Sequence, residues 1–378
     1  MATCYYHNDM DGKAAAKEVI DILKSSGKPI VPNKFKSMSY LDSFDIHTGY
    51  DSYIFIVDIS FTKETITKLF DICDNVSPRS SIIWIDHHTS SMDVLNDSDL
   101  RNKLRSYSNL IYFIDDKASG AALTALFKNV VLKCRELNIT SILNYSGYLS
   151  IKKIDDTSTN ISDRCYSKID FDGLEVDNDD PIMELSDVWF CIPKYCLMID
   201  DYDRWQFKYK DTKLYILGCD AYNTELFNQD GSITEFWNER FSSIDRLVIE
   251  GDVVDRYLGN RYAREFSTTF TTKINGFSVL CKNAMGNSFN FLDKQKDYDA
   301  VSLFYFDGAQ NKWSYSIYSS NPNFNCKDVA EYFGGGGHKS AAGFSLDTCI
   351  YSQYKEIIIP IDMYITAVYI GRDGNKIN

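Results

Sequence analysis

Acidic and histidine residues follow three apolar segments of the chain, and they carry the chemistry that the sequence predicts. The segment 7–12, His-Asn-Asp-Met-Asp-Gly, follows a short apolar stretch, and Asp58 ends the run Tyr53–Val57. The triplet Asp86-His87-His88 ends a third apolar run. Because open α/β sheets bind ligands at the carboxyl ends of their strands, we expect these side chains to meet at one sheet edge. Clustered carboxylates and imidazoles suit Mn²⁺, Mg²⁺ or Zn²⁺.

The first group has a spacing of two. On an extended segment every second side chain faces the same way, so His7, Asp9 and Asp11 could converge on one ion. The alternative is a polar loop in which Asp11 and Gly12 are turn residues. Asp58 has an alternative too, because an Asp after a strand is a good cap for a following helix.

The triplet is the stronger signal. His87 and His88 are adjacent imidazoles at the end of a buried strand, where they are costly to desolvate without partners. The chain has five histidines, and four of them lie in the groups that could do chemistry. The fifth, His47, is interpreted as a surface residue.

A run of glycines near the C-terminus predicts a binding loop. Gly334, Gly335, Gly336 and Gly337 precede His338. Glycines permit close approach of a ligand, and consecutive backbone N–H groups can form a nest for phosphate oxygens, to which His338 adds a donor. A flexible loop is the alternative. The small, helix-compatible residues 339–343 favour a shaped turn.

The elements that must position these residues alternate between strand and helix over 1–130. Four apolar strands are predicted at Thr3–Tyr6, Tyr53–Val57, Ser81–Ile85 and Leu110–Ile114, with helices at Lys13–Leu23, Thr62–Cys73 and Gly120–Cys134. Continuous apolar strands separated by helices indicate a parallel, doubly wound sheet.

The rest of the chain divides into three parts. An acidic, polar stretch at about 135–186 is interpreted as a surface insertion in a first domain, 1–230. Apolar residues at helical spacing predict a helical linker over 231–266. Strand-like segments around one helix predict a smaller α+β domain over 267–378. The fold class is therefore α/β with a second, α+β domain.

Bulk composition limits the function. The 378 residues suggest about two domains. A net charge of −13 argues against a large basic groove for duplex DNA. No apolar run is long enough to span a membrane, and no secretory signal is visible. Ten cysteines without a CxxC pair fit a reduced, cytoplasmic setting.

Together these motifs resemble the DHH phosphoesterases that carry a C-terminal DHHA1 domain. The resemblance rests on HNDMDG at 7–12, Val57-Asp58, Asp86-His87-His88 and GGGGHKSAAGF at 334–344. It covers roughly 1–130 and 190–345. The family includes RecJ exonucleases, nanoRNA-degrading oligoribonucleases and cyclic-dinucleotide phosphodiesterases. Asp200–Trp205 resembles the fourth motif of the oligoribonuclease branch.

The resemblance implies a site with two divalent ions, typically Mn²⁺, with Mg²⁺ or Co²⁺ as substitutes. His7 and Asp9 would hold one ion, Asp11, His87 and Asp201 the other, with Asp58 between them. Asp200 and Asp203 are the alternatives to Asp201. Asp86 would orient His87, His88 would contact the scissile phosphate, and residues 334–338 would bind a neighbouring phosphate.

The implied activity is hydrolysis of short, single-stranded oligonucleotides by water that the two metals activate. The alternatives are a phosphodiesterase for cyclic or linear dinucleotides or for 3′-phosphoadenosine 5′-phosphate, and a RecJ-like 5′ exonuclease. A non-catalytic scaffold would show gaps in the ligand set, and none is visible. The oligomeric state stays open, with a homodimer as one option.

Overall fold

The computed structural model describes residues 1–38, 51–77, 79–155, 165–177, 179–265, 268–285, 297–352 and 356–359. The chain divides into two compact units, residues 1–260 and 261–378. His47 lies outside the described residues. Within them, no helix is both long and apolar enough to cross a membrane.

The first unit is built on one eight-stranded sheet in the order β2-β1-β3-β4-β5-β6-β7-β8. Its strands are β1 (Ala2–His7), β2 (Phe35–Met38), β3 (Tyr53–Val57), β4 (Ser81–Asp86), β5 (Leu110–Ile114), β6 (Gly147–Asp155), β7 (Cys165–Leu174) and β8 (Phe190–Ile192). The six strands from β2 to β6 in this order run parallel, and β7 and β8 are antiparallel additions. The predicted parallel sheet is therefore confirmed.

Helices cover both faces of this sheet, which explains its continuous apolar strands. They are α1 (Met10–Ser25), α2 (Thr67–Asn75), α3 (Thr89–Asn96), α4 (Ser98–Arg105), α5 (Gly120–Glu136), α6 (Lys194–Asp203), α7 (Thr212–Asp220) and α8 (Ile244–Glu265). Ile56 and Trp84 pack in one core cluster with residues of α2, α3 and α4. Because side chains alternate along a strand, Phe55 and Ile83, also buried, face α1 and α5 on the opposite side.

The described residues of the acidic stretch 135–186 are more ordered than its composition suggests. It supplies β6 and β7, which pair with each other and extend the parallel sheet. Leu149, Ile169 and Phe171 are fully buried. Alternation of these apolar residues with Lys and Asp is typical of a sheet with one solvated face, so the interpretation as a surface insertion is corrected.

The second unit contains a seven-stranded sheet in the order β13-β14-β12-β11-β10-β9-β15. Its elements are β9 (Phe270–Ile274), β10 (Phe277–Asn283), β11 (Ala300–Asp307), β12 (Lys312–Tyr318), α9 (Cys326–Tyr332), β13 (Gly336–Gly337), β14 (Ala341–Leu346) and β15 (Glu356–Ile357). Helix α9 packs on the sheet through Val329 and Ala330, in a core that includes Tyr315 and Phe344. This is the expected α+β unit. Its residues 341–346 form a strand, because they pair with β12, and not the helix-compatible turn of the prediction.

Candidate metal centre

The register of the parallel sheet brings the predicted groups to one edge. Tyr6 pairs with Val57, and Val57 pairs with Ile85. The next residue on each strand is therefore His7, Asp58 or Asp86, and these three lie in one row at the carboxyl ends of β1, β3 and β4.

Asp58 lies at the centre of this row. Its Oδ1 is 3.2 Å from Nε2 of His87 and 3.9 Å from Nδ1 of His88, and its Oδ2 is 4.0 Å from Nδ1 of His7. Asp58 joins three groups whose ligand atoms lie within 4.8 Å of one another: with His7 and Asp9, with Asp11 and His87, and with Asp86 and His88. One carboxylate is thus within reach of two neighbouring cation positions.

The backbone of Asp58 is held in an uncommon conformation. Its φ is +56°, in the left-handed region that costs about 1–2 kcal/mol for a non-glycine residue. Its N–H donates to the carbonyl of Ile85 across the sheet. The side chain is buried, and Gly120 lies directly against it. Such local strain is typical of functional positions.

The first turn of α1 fixes the two acids of the HNDMDG group. Asp9 caps the helix by accepting the N–H of Gly12 at 2.8 Å, and its other oxygen lies 2.6 Å from Nδ1 of His7. Asp11 accepts the Ser119 hydroxyl at 2.6 Å and the Ala121 N–H at 3.1 Å through Oδ1. Its Oδ2 remains directed toward Nε2 of His87, 3.6 Å away.

Asp86 orients His88, where the resemblance implied His87. The Nδ1 of His88 donates to Oδ1 of Asp86 at 2.7 Å, and the Ser91 hydroxyl donates to Oδ2. Burial alone would lower the pKa of His88, but the Asp86 carboxylate outweighs it and raises that pKa to about 9. Burial likewise opposes the charge of Asp86, yet His88 lowers the pKa of that carboxyl to about 2.

The three acids of the fourth motif have separate surroundings. Asp201 is buried, and its oxygens accept the backbone N–H groups of Lys208 and Tyr209 and the hydroxyl of Thr212. Asp200 accepts the guanidinium of Arg204 with both oxygens and also the N–H of Ser119. Both oxygens of each of these two carboxylates are therefore already hydrogen-bonded within the protein.

Asp203, the last residue of α6, is the acid of this motif that the structure brings to the cluster. Its Oδ2 lies 3.4 Å from Nε2 of His87. Asp201, the residue favoured from the sequence, does not reach the cluster. The helical spacing of α6 explains the difference, because residues 201 and 203 point about 200° apart around the helix axis.

The surroundings of the acids in this cluster favour the binding of a cation. Burial, reinforced by neighbouring carboxylates, raises the pKa of Asp58 and Asp203 well above the usual range and that of Asp11 to about 6. Within the described residues, Oδ2 of Asp11 and Oδ1 of Asp58 accept no hydrogen bond although both are buried. Buried acceptors of this kind are costly unless a cation satisfies them, so the donor set fits hard divalent ions.

The glycine run is used largely by the fold itself. The N–H of Gly334 donates to the carbonyl of Glu331 and that of Gly335 to Ala330, which is a Schellman end for α9 with Gly334 at φ +78°. The N–H of His338 donates to Ala341 in a tight turn. At least three of the five N–H groups proposed as a phosphate nest are therefore already bonded, and the other two belong to Gly336 and Gly337, which pair with β14.

Three residues support the centre without belonging to any of its predicted motifs. Ser119 donates to Asp11, Gly120 makes room for Asp58, and Ser91 supports Asp86. The sequence does indicate Ser119 and Gly120, because both follow β5, the strand beside β4, and so lie at the same edge of the sheet.

Comparison with known proteins gives one family match. Residues 278–367 match the family model of the DHHA1 domain. No curated protein matches the chain.

Several solved structures resemble the chain at low sequence identity. RecJ of Thermus thermophilus in complex with Mn²⁺ is 14% identical, with a TM-score of 0.40 over 92% of this chain and 49% of RecJ. The pGpG-specific phosphodiesterase PggH of Vibrio cholerae is 13% identical, with a TM-score of 0.38 over 92% of this chain and 93% of PggH. An exopolyphosphatase-related protein of Bacteroides fragilis is 14% identical, with a TM-score of 0.41 over 93% of this chain and 88% of that protein.

Proposed function

We propose that this chain, whose residues 278–367 match the DHHA1 domain, is a metal-dependent phosphodiesterase of the DHH/DHHA1 family that hydrolyses short oligonucleotides. The observation that carries the proposal is the position of Asp58, whose two carboxylate oxygens face His7 on one side and His87 and His88 on the other. A carboxylate shared in this way suits a pair of cations.

The residues that would hold the two ions follow from the contacts. His7 and Asp9 would bind the first, Asp11, His87 and Asp203 the second, and Asp58 would bind both. Four carboxylates would balance two divalent charges. When bound, such a pair neutralises phosphate charge and acidifies an attacking water, with Mn²⁺ the proposed ion.

His88 has the chemistry to bind the reacting phosphate. Asp86 accepts a hydrogen bond from the N–H at Nδ1 of His88 and stabilises the charged imidazolium. In that charged form the second ring nitrogen, Nε2, also carries a proton. That N–H can donate to a phosphate oxygen as negative charge builds up on it. Ser91 keeps the Asp86 carboxylate in place for this role.

Short substrates fit the chain better than long ones. The net charge of −13 disfavours extended contact with a polyanion. Within the second unit, the segment Gly336–His338 is the proposed phosphate-binding element. Because Gly334 and Gly335 already bond to α9, we assign them to the shape of this loop and not to direct binding.

A substrate panel tests the proposal. Purified protein with Mn²⁺ is incubated with a labelled RNA pentamer, the matching DNA pentamer, pGpG, 3′-phosphoadenosine 5′-phosphate and a long single strand. We expect the pentamer to be hydrolysed fastest, and His87→Ala and Asp58→Asn to lose at least about 100-fold in rate. Asp93→Asn, which alters an exposed acid on α3, is the matched control.

Each result decides between activities. Preference for pGpG or for 3′-phosphoadenosine 5′-phosphate would replace the oligonucleotide assignment with a dinucleotide or mononucleotide one. Preference for the long strand would indicate a RecJ-like exonuclease. If no phosphoester is cleaved with Mn²⁺, Mg²⁺ or Co²⁺, the catalytic proposal fails and the scaffold alternative replaces it.

A further inference from the structure

The first unit has a cavity that shares no residue with the candidate metal centre. Its volume is about 380 Å³, near the lower end of the usual range for small-molecule sites. It lies between the α3–α4 helices and the sheet, and its walls include Met92, Arg101, Arg105, Tyr112 and Tyr148. Apolar, aromatic and basic side chains thus line the same cavity.

Two guanidinium groups make this cavity suitable for an anion. Arg101 and Arg105 are one helical turn apart on α4, so both side chains reach the same side. Arg101 is anchored by donating to the carbonyl of Leu95 at 3.1 Å, and Arg105 is exposed. In the part of the chain that the structure describes, neither forms an ion pair with a carboxylate, in a protein with an excess of acidic residues. Planar guanidinium groups bind phosphate oxygens in pairs.

Two tyrosines add a rigid aromatic wall. The rings of Tyr112 and Tyr148 lie 5.4 Å apart and 32° from parallel. The Tyr148 hydroxyl donates to the carbonyl of Ile114 at 3.0 Å, which fixes that ring. Burial raises the pKa of Tyr112, and the charge of the neighbouring Arg105 opposes that increase. Fixed aromatic rings beside apolar Met92 suit a planar base.

We propose that this cavity is a second, non-catalytic site for a nucleoside monophosphate, with the phosphate on Arg101 and Arg105 and the base against Tyr112 and Tyr148. The choice of a nucleotide over other aromatic anions rests on the proposed function, since hydrolysis of an oligonucleotide releases such products.

A short path through the first turn of α3 joins this site to His88. The N–H of Met92, which lines the cavity, donates to the carbonyl of His88 at 3.2 Å. Ser91, the preceding residue, holds the Asp86 carboxylate that orients His88. A ligand that shifts the start of α3 therefore changes the position of His88, so the site regulates the rate.

Calorimetric titration with AMP in excess EDTA tests binding apart from catalysis. We expect wild type and Asp58→Asn to bind AMP alike, and Arg101→Gln and Arg105→Gln to bind at least about 10-fold more weakly. Lys103→Gln, which removes the same charge from the same helix, should bind as wild type does. Thermal melts confirm folding, and the exposed Arg105 gives the decisive variant if Arg101→Gln unfolds.

Different results would contradict the second site and its regulatory role. Absence of AMP binding in wild type, equal binding in both arginine variants, adenosine binding as tightly as AMP, or loss of binding in Asp58→Asn would each overturn the second site. A rate with Mn²⁺ that AMP changes equally in wild type and Arg105→Gln would overturn the regulatory link. Because AMP binding is measured without metal, its outcome does not depend on whether the protein proves to be a phosphodiesterase.

Discussion

Gly120 and Asp58 are in such close contact that no side chain can be added at position 120 without moving the acid. A Cβ at Gly120 would lie 2.7 Å from Cβ and 2.9 Å from Cγ of Asp58. The first residue of α5 thus keeps the central carboxylate of the candidate metal centre in place.

Replacing Gly120 with alanine should therefore damage the centre without changing any ligand. We expect Gly120→Ala to lose about 1–3 kcal/mol of stability and at least about 10-fold in Mn²⁺ affinity, because Asp58 must shift. Chemical denaturation and metal titration measure the two effects. Gly308→Ala, at a position with open space, is the control. Unchanged Mn²⁺ affinity in Gly120→Ala would disprove the positioning role.

The fourth motif gives a prediction that separates structure from metal binding. Asp203→Ala should keep the fold and lose metal affinity, since Asp203 faces His87. Asp201→Ala should instead lower the melting temperature of the metal-free protein, because it leaves two N–H groups and one hydroxyl without acceptors, at about 1–3 kcal/mol each. Metal analysis and thermal melts would contradict this assignment if the two phenotypes were exchanged.

The stability of the metal-free protein should fall as the pH rises. An acid whose pKa is raised by folding keeps its proton longer in the folded state, so its effect on stability becomes unfavourable between the unfolded and folded values. For Asp11 that window extends from about pH 4 to about pH 6, and for Asp58 and Asp203 it also begins near pH 4. His88 acts in the same direction, because its stabilising charge is lost as the pH rises through about 9.

Mn²⁺ should reverse this trend. We expect the melting temperature in EDTA to decrease from pH 5 to pH 8 and the increase produced by Mn²⁺ to be larger at pH 8, because binding displaces protons from the acids. Differential scanning calorimetry at a series of pH values measures both curves. A metal-induced increase that is larger at pH 5 would contradict the role of these carboxylates.

The pair of Asp86 and His88 predicts a shift in the pH–rate profile. Asp86→Asn removes the charge that raises the pKa of His88, so the loss of activity at high pH should begin well below pH 9. We expect kcat to fall about 10- to 100-fold. Ser91→Ala, which keeps the charge, should cause a smaller shift. Nitrogen NMR of His88 checks its titration directly, and an unchanged profile would show that Asp86 does not act through His88.

Much of this arrangement was predictable from sequence because it is encoded locally. Apolar runs ending in acids or histidines located β1, β3 and β4, and the rule for parallel sheets placed their ends together. The choice between Asp201 and Asp203 was not predictable, because it depends on the loop after α6 that hydrogen-bonds to Asp201. Likewise, the contact of Gly120 with Asp58 joins the start of α5 to the end of β3, and only the folded sheet sets the distance between them.

Anomalous diffraction at the manganese edge, from crystals grown with Mn²⁺, tests the central claim most directly. The account predicts two peaks on either side of the Asp58 carboxylate, one beside His7 and Asp9 and the other beside Asp11, His87 and Asp203. Peaks located elsewhere, or none within bonding distance of Asp58 at saturating Mn²⁺, would contradict it.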